Sequence, residues 1–246
     1  MDTPEVRIAQ LEAELAACKR EMQEFTYTVS HDLRAPLRHI VSFAQLVQED
    51  AGPLLNAEVQ GFLDTIAGSA RNLTAMLDAL LELSRVGSVA LHLQPLALQD
   101  MVQSVSEELS DKFPSDGRTW HIAPGLPQVT ADPALLRVAL MHLLGNALKF
   151  SRSRTPAVIE IGGESDVVAG ITKLTIRDNG VGYNPVMQGK LFQVFSRLHS
   201  QTQFEGLGMG LALSRKIAQR LGAELAISGK TDLGCCVTLT LPLAAP

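Results

Sequence analysis

From Ile8 to Val29 the chain places an apolar residue alternately three and four positions after the last: Ile8, Leu11, Leu15, Cys18, Met22, Phe25 and Val29. Only a helix gathers residues so spaced onto one stripe, and the alternation is that of a two-stranded coiled coil, whose seam requires a second helix. A chain that opens this way is committed to a long helix with a partner. The steps then become four and four through Leu33 and Leu37, and the earlier spacing resumes at Ile40, Ala44 and Val47. Such an irregularity is a stutter, where supercoil winding changes locally. Within it lies Ser-His-Asp-Leu-Arg-Ala-Pro-Leu at 30–37, with His31 off the apolar stripe. Pro36 costs a helix roughly 3 kcal/mol, because it removes a backbone hydrogen bond and crowds the preceding turn. A helix built for stability alone would avoid it.

The polar break at 49–58 (EDAGPLLNAE) is followed by a second stripe, Val59, Phe62, Ile66, Ala70, Leu73, Leu77 and Leu80, which ends near Ser84–Ser88. Two long amphipathic helices joined by a short loop make an antiparallel hairpin. Each carries more apolar surface than the other can cover, so two hairpins are expected to pair into a four-helix bundle. Periodicity alone equally supports a helical dimerisation module with no chemistry.

From about Leu91 short alternating strands and helices take over. Residues 95–109 predict a strand then a helix, and 118–124 and 127–131 predict strands. Asp132 caps a helix with Pro133 in its first turn, continuing to Phe150. Residues 157–164 and 171–178 alternate as strands, 206–222 predict a helix, and 223–230 with 235–243 close the chain as a hairpin. The expected class is α+β: a helical hairpin, then a domain with helices on one face of a mixed sheet.

Composition narrows the partners. A net charge of -5, with Lys and Arg scattered, leaves no basic face for nucleic acid. No run of about 18 apolar residues crosses a membrane, and the start, MDTPEVRIAQ, is acidic rather than a leader. Cys18, Cys235 and Cys236 form no disulfide framework, which implies a reducing cytoplasmic setting, including that of a soluble part of a longer receptor.

Three segments carry chemistry. RDNGVGYNP at 177–185 ends a strand on Asp178 and follows it with Gly180 and Gly182. These glycines let backbone approach a flat ligand whose exocyclic amine an ionised Asp178 can accept, although Asp-Asn-Gly is also an ordinary turn. EGLGMGLALSRK at 205–216 sets Gly206, Gly208 and Gly210 ahead of a helix, an entry suited to phosphate. A nicotinamide site would need a strand before it, and KLFQVFSRLHSQTQF is polar and irregular, like a lid. HLLGNALKFS at 142–151 puts Asn146 and Lys149 on one helix face, an amide for Mg²⁺ and an ammonium for phosphate, or simply an exposed polar face.

In this order, behind SHDLRAPL, these segments resemble a sensor histidine kinase: a dimerisation and histidine-phosphotransfer hairpin followed by a Bergerat-type ATP-binding domain. The resemblance covers Phe25 to Leu243, and the lid is similar in wording to kinases linked to phytochrome or PAS sensors. It implies a coiled-coil signalling helix at 1–24, the hairpin at 25–88 and the catalytic domain at 89–246. It implies that His31 takes the γ-phosphate of ATP on Nε2, that Asp32 orients the ring and accepts its proton, and that Pro36 loosens the helix. Asn146 corresponds to the Mg²⁺ ligand and Lys149 to a phosphate contact; Asp178 reads adenine in a turn shaped by Gly180 and Gly182. Phe192 and Phe195 correspond to the lid's aromatic anchors, Arg197 to a basic residue near phosphate, and Gly206, Gly208 and Gly210 to the cradle. A homodimer is implied, passing the phosphoryl group to a receiver-domain aspartate of a response regulator, with the upstream sensor module outside this chain. The C-terminal half alone also suits a related ATPase that clamps a client, or a non-catalytic dimeric scaffold.

Three positions depart from the family pattern. His142 stands where relatives carry a second asparagine, and Leu207 replaces a common threonine in the lid. Ala35 occupies the place of the threonine or asparagine that positions water in kinases that dephosphorylate their partner, so phosphatase activity is expected to be weak. His39, His92 and His121 are read as surface or strand residues, and His199 as a lid residue for which a phosphate contact is the lesser alternative.

Overall fold

The computed structural model describes residues 4–113, 117–200 and 202–244, so the ends of the expected domain ranges and Gln201 of the lid lie outside it. The chain divides into two compact units, Met1–Ser88 and Val89–Pro246.

In the first unit, helix α1 (Pro4–Ala51) runs through Pro36 without interruption, and at 1.5 Å per residue it is about 72 Å long. A short 3-10 turn, Gly52–Leu54, leads to α2 (Ala57–Val86), whose first turn is capped by the Asn56 side chain accepting from the Val59 N–H at 2.9 Å. Leu37, Ala70 and Leu77, with Val41 packed against them, form the core between the helices. Arg34 donates to Asp78 at 2.7 Å, and Gln48 to Asp64 at 2.7 Å. Between these bridges α1 advances fourteen residues while α2 retreats fourteen, which defines an antiparallel pair. Leu33, Ile40, Phe43, Val47, Phe62, Ile66 and Leu73 remain exposed, so within one hairpin the stripes are only half covered.

The second unit opens with β1 (Gln94–Ala97) and α3 (Leu98–Lys112), followed by β2 (Arg118–Ile122), β3 (Gln128–Ala131) and α4 (Pro133–Ser151). Strands β4 (Ala157–Asp166) and β5 (Ile171–Asp178) precede the lid, and α5 (Gly210–Arg220), β6 (Glu224–Gly229) and β7 (Cys235–Pro242) complete it. The five-stranded sheet has the order β2-β4-β5-β7-β6, with only the β2–β4 pair parallel. β1 and β3 form a separate antiparallel pair, which the sequence did not distinguish from the main sheet. Val102, Val105, Leu136, Leu140 and Leu144 from the helices are buried with Ile159, Ile161, Leu174, Ile176, Leu239 and Leu241 from the sheet.

Local chemistry sets the ends of α4. The Asp132 carboxylate accepts from the N–H groups of Ala134 and Leu135, at 3.0 and 3.1 Å, and also from His92 at 2.9 Å. Burial pushes this carboxyl up, but the three N–H donors outweigh it and its pKa lies below the ordinary value. One cap thus fixes both the start of α4 and the segment that enters the unit. Among the described residues no helix is long and apolar enough to cross a membrane.

Candidate ATP and phosphoacceptor sites

Strand alternation carries Asp178 inward. In β5, Thr172, Leu174 and Ile176 are buried, and Asp178 is the next residue on that face, 6% exposed. Its Oδ1 accepts from the Gly180 N–H at 2.9 Å and the Cys235 N–H at 3.3 Å. Burial raises the Asp178 pKa, while these two donors favour its charged form. Beside it, burial first and the Asp178 charge second push the Cys235 thiol up to about 12, so Cys235 is an inert neutral filler.

The following turn has no room for side chains. A Cβ on Gly180 would lie 2.5 Å from the Phe150 carbonyl oxygen. One on Gly182, at φ +61°, would lie 1.9 Å from the Lys230 carbonyl oxygen. The end of α4, the Asp178–Gly182 turn and the β6–β7 turn therefore meet backbone to backbone. Gly234, which the sequence reading passed over, completes the contact: a Cβ there would stand 1.9 Å from the Asp178 carbonyl oxygen.

Two of the lid glycines, Gly206 and Gly210, lie against one face of α4. A Cβ on Gly210 would be 3.2 Å from His142 Nδ1, and one on Gly206 would be 3.5 Å from Lys149 Nζ. His142, Asn146 and Lys149 are four and three residues apart, so half-buried Asn146 sits between the two lid contacts. Gly208, at φ +74°, packs against the Ser196 carbonyl. Lys149 is held below the ordinary ammonium range, first by burial and then by Arg197 and Arg152, against the opposing charge of Glu205. Its Nζ lies 4.4 Å from the Phe150 ring centre.

The lid has aromatic contacts beyond those expected. Phe192 lies under the Arg215 guanidinium at 5.0 Å, and Phe195 has φ +61°. The aromatic cluster comprises Phe150, His199 and Phe204, with ring centres 5.0 to 5.4 Å apart. His199 also donates from Nε2 to the Gly182 carbonyl at 2.9 Å, joining lid to turn. Arg197 donates to the Phe204 carbonyl, and Arg152 bonds Glu205 at 2.5 Å and the Gln203 carbonyl. No helix or strand periodicity points to these three residues, because their acceptors are mostly main-chain oxygens in a loop.

On α1, His31 and Asp32 are both exposed, and His31 Nδ1 lies 3.1 Å from Asp32 Oδ1. With the carboxylate accepting, the proton sits on Nδ1 and the lone pair on Nε2. Tyr27, one turn earlier, stacks on the imidazole with ring centres 6.4 Å apart. Ala35 is exposed one turn later.

Comparison with known proteins gives these features a context. Residues 21–89 match the His Kinase A (phospho-acceptor) domain, and 131–245 match the histidine kinase-, DNA gyrase B- and HSP90-like ATPase family. The methanogenesis regulatory histidine kinase FilI of Methanothrix harundinacea is 33% identical over 96% of this chain, which covers 26% of that protein. Cyanobacterial phytochrome B of Nostoc sp. is 30% identical over 95% of the chain, which covers 31% of that protein. The chain thus spans about a quarter to a third of these relatives. Full-length ShkA in complex with AMPPNP shares the fold over 91% of this chain and 46% of its own, with TM-score 0.64 and 24% identity. Histidine kinase ThkA in complex with response regulator protein TrrA does so over 99% and 68%, with TM-score 0.63 and 18% identity. A phospho-acceptor hairpin joined to this kind of ATPase domain defines a two-domain kinase core of two-component signalling. The chain belongs to the sensor histidine kinases and carries their catalytic core.

Proposed function

We propose that this chain is a homodimeric, cytoplasmic, ATP-dependent protein-histidine kinase core. Residues 1–24 act as the coiled-coil signalling helix, 25–88 as the dimerisation and phosphotransfer hairpin, and 89–246 as the ATP-binding domain. The observation that carries this reading is the placement of Gly210 against His142 and of Gly206 against Lys149 on one face of α4, whose end meets the Asp178 turn.

In the reaction the Nε2 lone pair of His31 attacks the γ-phosphorus of ATP. The N–P bond forms as the bond to the β,γ-bridging oxygen breaks, ADP leaves with that electron pair, and Asp32 takes the Nδ1 proton. Asp178 accepts from the adenine amine, with Gly180 and Gly182 letting its turn pack backbone to backbone against the end of α4 and the β6–β7 turn. Lys149, Arg197 and the N–H groups of Gly206, Gly208 and Gly210 meet the phosphates, where positioning and charge neutralisation supply the catalysis. The Asn146 amide is a hard oxygen donor that fits Mg²⁺. Among the described residues no group of three or more His, Cys, Asp or Glu could hold a metal ion. Such a site suits an ion held mainly by the nucleotide's phosphates, whose charge it neutralises when bound.

The phosphoryl group then passes from His31 to an aspartate on a receiver domain, a step that the complex of ThkA with its response regulator supports by analogy. Ala35 offers only a methyl group one turn beyond His31 and cannot position water, so hydrolysis of the receiver's aspartyl phosphate is weak. Incubation with γ-labelled ATP tests the reading. The label should be acid-labile and base-stable and should move to an added receiver domain, whereas acid-stable label would contradict it.

A further inference from the structure

Arg154 lies in the loop between α4 and β4 and belongs to none of the motifs above. Its Nε donates to the Asn179 carbonyl at 3.1 Å, and its Nη2 to the Gly180 carbonyl at 3.2 Å. The same Nη2 reaches the Asp232 carbonyl at 3.2 Å and Asp232 Oδ1 at 3.1 Å, in the β6–β7 turn. The Asp232 N–H in turn donates to the Val181 carbonyl at 2.8 Å. One guanidinium therefore ties together the two backbone turns that surround Asp178.

The Asn179 carbonyl and the Gly180 N–H belong to a single peptide group. That group is planar and trans, so its oxygen and hydrogen point in opposite directions. Arg154 holds the oxygen, and the hydrogen is directed to Asp178 Oδ1 at 2.9 Å. Glycine at position 180 makes rotation of this peptide sterically easy, since it tolerates backbone angles that other residues resist. Rotation would remove the closer of the carboxylate's two N–H donors and leave the Cys235 N–H at 3.3 Å. Asn179 braces the turn from the other side, accepting from the Val158 N–H at 3.0 Å and donating to the Pro156 carbonyl at 3.0 Å. Those bonds fix its side chain and leave the peptide plane to Arg154.

We infer that Arg154 is a positioning residue for nucleotide recognition, holding the Asn179–Gly180 peptide so that the Asp178 carboxylate is presented to the base in one orientation. The inference rests on the reading of Asp178 as the adenine acceptor. Because Arg154 acts through Asp178, its loss matters only while that carboxylate is present. It weakens binding and raises the KM for ATP, and it leaves turnover at saturating ATP unchanged.

A double-mutant cycle on the 246-residue chain tests this, with the dissociation constant of Mg-AMPPNP as readout. Asp178→Asn should weaken binding at least tenfold. Arg154→Met should weaken it about tenfold, with kcat at saturating ATP within about twofold, and Arg154→Lys should not rescue, since an ammonium cannot span the forked set of carbonyls. In the Asp178→Asn background, Arg154→Met should add less than about twofold. Arg154→Lys keeps the charge and most of the stem, so it carries the cycle if the methionine variant loses its fold. If Asp178→Asn leaves AMPPNP binding intact, the adenine reading fails and this inference with it. If Asp178→Asn weakens binding while the Arg154 variants bind normally, or their effect adds in full to that of Asp178→Asn, only the role of Arg154 is overturned.

Discussion

Replacing Gly182 by alanine separates two costs that the turn after Asp178 imposes. Gly182 has φ +61°, and an added Cβ would stand 1.9 Å from the Lys230 carbonyl oxygen. Left-handed backbone costs an alanine about 1–2 kcal/mol. Ordinary contact begins near 3.4 Å, so the overlap forces the β6–β7 turn to move by about 1.5 Å, an overpacking cost on the order of 1–3 kcal/mol. Gly170, at φ +66° with nothing within 4 Å of its Cβ position, bears the first cost alone. The chain has one tryptophan, Trp120 in β2, so urea unfolding followed by its fluorescence reports on the second unit. Gly182→Ala should destabilise that unit by about 2–5 kcal/mol and Gly170→Ala by about 1–2 kcal/mol. AMPPNP affinity should fall at least tenfold in the first variant and stay unchanged in the second. Equal stability losses, within about 0.5 kcal/mol, would refute the argument that these turns interlock through their backbones.

Three further outcomes follow from other parts of the molecule. Asp132→Ala should cost about 1–2 kcal/mol by removing the cap of α4. Because the Asp132 pKa is depressed in the folded state, its stabilisation is present above the ordinary carboxylate value and is lost as pH falls through the folded one, so the variant's urea midpoint should flatten on the acid side. Asp178 has the opposite sign. Its raised pKa makes the folded state hold a proton that the unfolded state lacks, so lowering pH through that window stabilises the domain while weakening AMPPNP binding, and Asp178→Asn should remove both trends. If two hairpins pair as proposed, Phe43→Asp, on the exposed apolar face of α1, should convert the proposed dimer to a monomer at micromolar concentration in sedimentation velocity.

Period and caps made much of the fold legible. The stripes of α1 and α2 are long enough for the 3.6-residue repeat to show, Asp132-Pro133 marks a helix start, and the alternation of β5 carries Asp178 inward. Single glycines were legible as turns, yet their tightest constraint came from distant backbone, as at Gly234 against Asp178. Arg152 and Arg154 escaped the sequence reading, and His199 was placed in the lid without its partner, for a physical reason. They act on main-chain carbonyls 17 to 78 residues away, and neither residue type nor local spacing carries information about such partners. Beyond Phe192 and Phe195, the residues expected to anchor the lid, Phe150, His199 and Phe204 form a cluster, because the chain folds the far end of the lid back onto the end of α4.

The central claim is that a nucleotide held by the second unit delivers its terminal phosphoryl group to one imidazole on α1. The most direct measurement is incorporation of label from γ-labelled ATP into the chain and into His31→Gln. The wild-type chain should gain acid-labile label while the variant gains none, although it binds AMPPNP with unchanged affinity. Equal labelling of the two proteins would contradict the account.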